Sequence, residues 1–307
     1  MQYLNGKRYY TMAQYCKEKY GQRIVKIPFC SAFSCPNRDG SKGFGGCSFC
    51  SGDGGGEFSP KIRAPLSVQF KEGILQNQKW RSAVKMGYFQ SFSNTHCSAE
   101  ELYALLTEAA EISGISGIRL ATRADCIDSQ KADILFDFSK KLPIEIELGL
   151  QTVYDSTAER INRCHSFEEW KNGFSLLKER GLYVCAHLIN GLPNETADMM
   201  INSAKVLGQL KIDGIKLHML HIIKGSALAA QYQAQPFPLL SLEQYVDIIC
   251  TQIAVLPPQT VIERLTGDAA HQTLIAPVWT ANKRNVLNSI DKRLAELNIR
   301  QGDDFGG

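Results

Sequence analysis

"FSCPNRDGSKGFGGCSFC", residues 33–50, follows the apolar run "RIVKIPF" that starts at residue 23 and carries Cys35, Cys47 and Cys50 at an x11 and x2 spacing. Three thiolates at a strand end can hold three irons of a cubane cluster and leave the fourth iron open to a ligand, whereas four would close it for electron transfer. Gly40, Gly43, Gly45 and Gly46 let the loop wrap closely and present backbone N–H groups to sulfide. Cys30 offers a rival arrangement, a four-thiolate set with Cys35, Cys47 and Cys50 that would suit structural zinc. Its place in or just after the strand, and the aromatic Phe29, Phe33, Phe44 and Phe49, favour the cluster without closing the zinc alternative.

The rest of the chain bounds what such a loop can do. Its 307 residues are enough for one large α/β domain with an appendage or for two ordinary domains. Hydrophobic content of 44% and charged content of 21% exclude a largely disordered protein, and no apolar run approaches membrane-spanning length. The opening "MQYLNGKRYYTMAQYCKEKYG" has no apolar stretch and no small-residue cleavage site, so a cytoplasmic protein is expected. In that reducing setting, ten cysteines point to metal binding or catalysis before disulfides. The net charge of +3 is uneven: residues 1 to 80 carry 12 Lys or Arg against 5 Asp or Glu, and the remainder 22 against 26. A solvated basic surface and an anionic partner such as RNA both fit that asymmetry.

β-rich runs recur between helical patterns: "KMGYFQSF" at 85, "GIRLAT" at 117, "IEIELGL" at 144, "LYVCAHLI" at 182, "DGIKLHML" at 213 and "TVIERL" at 260. Ser98 with Glu101, Ser166 with Glu169 and Ser241 with Gln244 fit the capping box that starts a helix. Spacings near 30 residues predict repeated βα units, a mainly parallel sheet, and chemistry at the C-terminal strand ends. The pattern breaks at "KGSALAAQYQAQPFPLL", where Gly225, Pro236 and Pro238 mark the expected domain boundary. No Ser-His-Asp set, phosphate-cradling P-loop or second cysteine cluster is apparent, and no residue is assigned as a catalytic acid, base or nucleophile.

The cysteine spacing, with an aromatic residue just before Cys50, resembles the radical S-adenosylmethionine (SAM) superfamily. "YFQSFSNT", "ELGLQT", "INRCH", "HLINGLPNET" and "DGIKLHMLHIIKGS", in this order at successive strand ends, are similar to its YhcC/YtqA-type group, which is related to the catalytic subunit of Elongator. The resemblance implies an α/β protein: a partial (β/α)6 TIM-like barrel with a C-terminal α/β extension. It divides into a basic segment at 1–22, a radical SAM core at 23–225 and an extension at 226–307. It also implies a 4Fe-4S cluster on Cys35, Cys47 and Cys50, with SAM on the open iron.

The same resemblance assigns the SAM contacts. Ser93, Asn94 and Thr95 stand where the family ends its second strand with the motif that holds the SAM amino group; a helix N-cap is their plainer role. "GGGEF" at 54–58 mimics that motif but falls before the second strand, so Gly55, Gly56 and Glu57 are read as a loop. Gln151 and Arg163, twelve apart, are spaced as in coproporphyrinogen dehydrogenases, with Arg163 for the carboxylate and Gln151 for the ribose or amino group. Arg123, ending "LATR", is a second carboxylate candidate, and His187 a ribose contact. Lys216 and His218 share one strand face and are candidate substrate contacts, although Lys216 would equally suit a buried pair with Glu145 or Glu147.

The family reading points to tRNA, at the carbon-5 substituent of the wobble uridine, with flavodoxin or ferredoxin as electron donor and no membrane. Tyr3, Tyr9, Tyr10, Tyr15 and Tyr20 are offered as base-stacking groups in the basic segment. A radical enzyme acting on a small metabolite or tetrapyrrole is the alternative within the family. A non-enzymatic zinc-ribbon RNA-binding module is the alternative outside it.

Overall fold

The computed structural model describes residues 2 to 56, 59 to 60, 63 to 80, 82 to 268 and 272 to 306. Six β-rich runs form parallel neighbours in chain order: β1 (Ile24–Phe29), β2 (Val84–Phe89), β3 (Gly117–Arg123), β4 (Ile144–Gln151), β5 (Tyr183–Asn190) and β6 (Gly214–Met219). After the short β7 (Ile222–Ile223), the chain returns to the sheet as β8 (Val261–Arg264) beside β6, and β9 (Leu274–Ala276) pairs antiparallel with β7. The seven parallel strands curl into a half-barrel, the partial TIM-like fold expected, with one strand more than the six-unit core. That extra strand comes from the C-terminal extension, which therefore shares its sheet with the core.

Among the described residues, ten helices cross between or beyond the strands: α1 (Met12–Tyr20), α2 (Leu66–Gln76), α3 (Ala99–Ala110), α4 (Ser129–Ser139), α5 (Asp155–Arg160), α6 (Phe167–Glu179), α7 (Ala197–Gln209), α8 (Ala227–Ala234), α9 (Leu242–Val255) and α10 (Lys283–Glu296). All three expected capping boxes are present, opening α3, α6 and α9. Each satisfies two backbone donors by a contact three residues away, which is why it could be read locally.

Strand alternation explains both faces of the sheet. Ile144, Ile146, Leu148 and Leu150 of β4 point to the helices and are buried in the main core, each full burial contributing about 1.5–3 kcal/mol. Glu145 and Glu147 alternate with them and point the other way, into the half-barrel, where they are also buried. Gly173 lets α6 lie against the turn after β3, because a Cβ there would meet the Ala124 carbonyl oxygen at 2.1 Å.

The N-terminal segment docks at the N-terminal ends of the strands. Tyr15, Tyr20 and Lys19 donate to Glu145 at 2.7, 2.8 and 3.0 Å. Tyr9 and Tyr10 are buried, and Tyr3 bonds the Gln301 carbonyl. Burial takes the Tyr9 and Tyr10 rings out of reach of a stacked base, while the Tyr3, Tyr15 and Tyr20 hydroxyls tie the segment to the rest of the protein. Gln301 completes the clasp by accepting from the Tyr10 N–H and donating to the Pro257 and Thr260 carbonyls.

Candidate functional site

The cysteine loop leaves β1 and is held by its own backbone before any ligand is considered. Arg38 N–H donates to the Cys35 carbonyl at 2.8 Å, Gly46 N–H to the Asn37 carbonyl at 2.7 Å, and Cys50 N–H to the Cys47 carbonyl at 2.9 Å. Gly46 has φ +79°, and a Cβ on it would press on the Arg38 guanidinium at 2.9 Å. Two asparagines sew the loop to the turn after α5. Asn37 donates to the Asn162 carbonyl and reaches Cys47 Sγ at 3.7 Å, while Asn162 donates to the Gly46 carbonyl at 2.9 Å.

Cys35, Cys47 and Cys50 line one cavity of about 290 Å³ at the C-terminal strand ends. The Cys50 thiol donates to Cys47 and pulls Cys47 down to about 7; burial opposes this and the Arg123 charge assists. A thiolate is therefore accessible near neutral pH, and soft thiolate donors on a tight loop suit an iron–sulfur cluster. Cys30 is not among the lining residues. Its N–H and carbonyl are instead bonded to the Gln69 amide. Among the described residues, no three His, Cys, Asp or Glu side chains are grouped as a single-ion site, whereas a cubane spreads its thiolates over separate irons. The residues present fit the cluster.

Across the cavity, the strand register sets one row of residues side by side: Arg123, Gly149, His187, Lys216 and Arg264. Beneath it lies a buried ionic network. Glu147 accepts from Lys216 at 2.5 Å, Tyr88 at 2.6 Å, Lys26 at 2.9 Å and Arg119 at 3.0 Å. Burial pushes the Glu147 carboxyl up, but Lys216 and Lys26 outweigh it and hold the group well below the usual carboxylate range. Arg119 also bonds Glu145 at 2.5 Å and Glu263 at 2.5 and 2.8 Å.

The structure separates the expected SAM contacts. Arg123, Gln151 and His187 line the cavity with the cysteines. Arg123 donates twice to Asp125, at 2.9 and 2.8 Å, and once to the Arg163 carbonyl at 2.8 Å. Arg163 is fully buried and does not line the cavity. Its guanidinium bonds the carbonyls of Leu150 at 2.5 Å, Thr152 at 2.6 Å and His165 at 3.0 Å. Read from its twelve-residue spacing as a carboxylate contact, Arg163 lies in a turn bracketed by left-handed Asn162 and Cys164, enclosed by carbonyls and apart from the cavity lining.

Ser93, Asn94 and Thr95 are also buried behind the cavity wall. Ser93 and Thr95 meet the Thr122 hydroxyl at 2.9 and 2.6 Å, and Asn94 donates to the Ala121 carbonyl at 2.8 Å. Their side chains pin β2 to β3, and the N-cap of α3 is Ser98. Their side chains are thus engaged in bracing, and none of the three lines the cavity with the cysteines. From this region the cavity takes Gln90 and Phe92 together with Gly54 and Gly55 of the "GGGEF" loop. Glu57 of that loop lies outside the described residues. Lys216 and His218 both line the cavity, and Lys216 makes the expected pair with Glu147. Sequence reasoning missed Arg264, because a register shift that skips Glu263, not simple alternation, sets it opposite Lys216.

The chain matches the family model described as the radical SAM superfamily over residues 38–207, and the radical SAM C-terminal domain over residues 212–296. It is 38% identical to the uncharacterized protein YtqA of Bacillus subtilis, over 97% of this chain and 93% of that one. It is 34% identical to protein YhcC of Escherichia coli K12, over 94% and 92%. Among solved structures, archaeal Methanocaldococcus infernus Elp3 superposes with a TM-score of 0.67 at 15% identity, covering 91% of this chain and 64% of that one, a likeness of fold. Among the described residues, no helix is long and apolar enough to cross a membrane.

Proposed function

The chain belongs to the radical SAM superfamily, with a 4Fe-4S cluster and SAM as its cofactors, and from that premise we propose that it modifies the wobble uridine of tRNA. The observation that carries the site assignment is the shared cavity of Cys35, Cys47, Cys50, Arg123 and Gln151. In this reading the three cysteines bind three irons. Arg123, oriented by Asp125 and the Arg163 carbonyl, takes the SAM carboxylate, and Gln151 and His187 take the ribose side. Held by Cys35, Cys47 and Cys50, a reduced cluster would supply one-electron reductive cleavage of SAM, the source of a radical for hydrogen-atom abstraction.

The chain's own tasks are to orient SAM, to exclude water and to keep other hydrogen donors away. The buried network beneath the cavity serves the last two, because Glu147 already accepts from four groups and its partners are fixed. The tRNA reading rests on the Elongator-like motifs and the basic N-terminal 80 residues. It places the protein in a reducing cytoplasm with flavodoxin or ferredoxin as donor. The test has two arms: release of 5′-deoxyadenosine by reduced protein given SAM, and a changed mass of the wobble nucleosides in a deletion strain. Wobble nucleosides identical to wild type under aerobic and anaerobic growth would end the tRNA reading.

A further inference from the structure

The row Arg123, Gly149, His187, Lys216 and Arg264 crosses the cavity from the cysteine loop to the far edge of the sheet. Its charges are not equally balanced. Asp125 answers Arg123 and Lys42, and Glu147 answers Lys216 within a network that also takes in Lys26 and Arg119. At the far edge, one carboxylate, Asp268, serves both Arg264 and Lys283. At that end two cations share one carboxylate, and Glu147 is the other carboxylate that acts on Arg264.

Three imidazoles add unsatisfied polar atoms to the cavity. The Nε2 atoms of His187, His218 and His221 are buried and lack a hydrogen-bond partner, and all three rings line the cavity with Arg264. His187 and His218 stand 5.7 Å apart between ring centroids. His187 Nε2 comes within 3.3 Å of Glu147, which leaves His218 and His221 as the rings whose Nε2 has neither a hydrogen-bond partner nor an ion-pair contact. A buried polar atom without a partner is costly, and in the Nε2–H tautomer these two rings donate to a ligand that accepts hydrogen bonds. Arg264 and Lys283, whose charges both act on His221, favour an anion over a metal cation there. Burial lowers both Arg264 and Lys283, the direction that an incoming negative charge would reverse.

We propose that the far end of the cavity is an oxyanion subsite, in which Arg264 and the Nε2–H tautomers of His218 and His221 bind a phosphate group of the substrate. The inference rests on the nucleotide-substrate reading above and deepens it by naming the group recognised. Phosphate suits the site because its oxygens accept from several directions, as donors from β6, the segment after it and β8 present them. Arg123 at the near end remains for SAM, so the two anionic groups of the ternary complex are held at opposite ends of one row.

The test is calorimetric titration of the cluster-loaded protein with inorganic phosphate, uridine 5′-monophosphate and uridine. Saturable binding of phosphate is expected, with uridine 5′-monophosphate at least tenfold tighter than uridine. R264Q should lose at least tenfold in affinity for the monophosphate. K283Q alters a half-exposed side chain and keeps the fold in play; it should lose about threefold. Equal affinity for the monophosphate and the nucleoside would overturn the proposal, as would monophosphate binding unchanged in both variants. A loss of SAM affinity in R264Q that matches the phosphate loss would also overturn it, by assigning the cations to the SAM carboxylate. Binding here is read without turnover, so its failure beside altered wobble nucleosides sinks the subsite alone, and the reverse outcome sinks only the tRNA reading.

Discussion

Lys216 Nζ stands 2.5 Å from Glu147 Oε2, with both side chains buried inside the half-barrel. Breaking a buried pair leaves a charge in low dielectric and costs about 3–5 kcal/mol. Glu147 keeps Lys26 and Arg119 as partners, so Lys216→Met should fall at the lower end, about 3 kcal/mol, in urea denaturation. An unchanged midpoint would free Lys216 for substrate alone.

Acid should weaken the same network. Burial raises Glu263, but Arg119 more than compensates and draws it to about 2, against an ordinary 4.5. A carboxyl depressed on folding contributes stability that is fully present above its unfolded value and is lost as pH falls toward its folded one. Stability should therefore decline between about pH 4.5 and 2. The urea midpoint followed over that window should fall, and Glu263→Gln should flatten the fall.

Iron should follow the three cavity thiols and not Cys30. Cys35→Ala, Cys47→Ala and Cys50→Ala should each abolish the brown chromophore, while Cys30→Ala retains about four irons per chain. Metal analysis of anaerobically purified protein decides it. Stoichiometric zinc that depends on Cys30 would restore the zinc-ribbon reading.

The two arginines should separate by assay. Arg123→Met should weaken SAM binding by roughly 1.5–3 kcal/mol, the loss of a charge-assisted contact, or about tenfold to a hundredfold. Arg163→Met orphans the carbonyls of Leu150, Thr152 and His165, so its loss should appear in denaturation, at about 3 kcal/mol. Equal SAM affinity in wild type and the Arg123 variant would remove Arg123 from the cofactor.

If the basic N-terminal region meets tRNA, Lys17 and Arg23 are exposed cations it can offer, whereas Lys19, also exposed, is engaged by Glu145. Reversing both charges, K17E with R23E, should flatten the slope of log affinity against log salt by roughly one to two, since each neutralised phosphate releases counterion. Filter binding from low to moderate salt gives that slope. A slope equal to wild type would move RNA contact away from this segment.

The sequence by itself determined the features whose causes are local. The cysteine spacing, the seven β-rich runs and the capping boxes at Ser98, Ser166 and Ser241 depend on contacts a few residues apart, and all are present in the fold. Only the tertiary structure decided which polar groups face the cavity. Arg123 and Arg163 are equally basic in sequence, yet one ends an inward-facing strand position and the other sits among carbonyls at the end of β4. Ser93 to Thr95 look like ligand donors until Thr122 and Ala121 of the adjacent strand absorb them. Arg264 joins Lys216 only through a pairing between strands 45 or more residues apart in the chain. Side-chain direction along one strand has period two and can be read from sequence, but register between strands sets which residues share a row, and register is fixed by packing across the whole sheet.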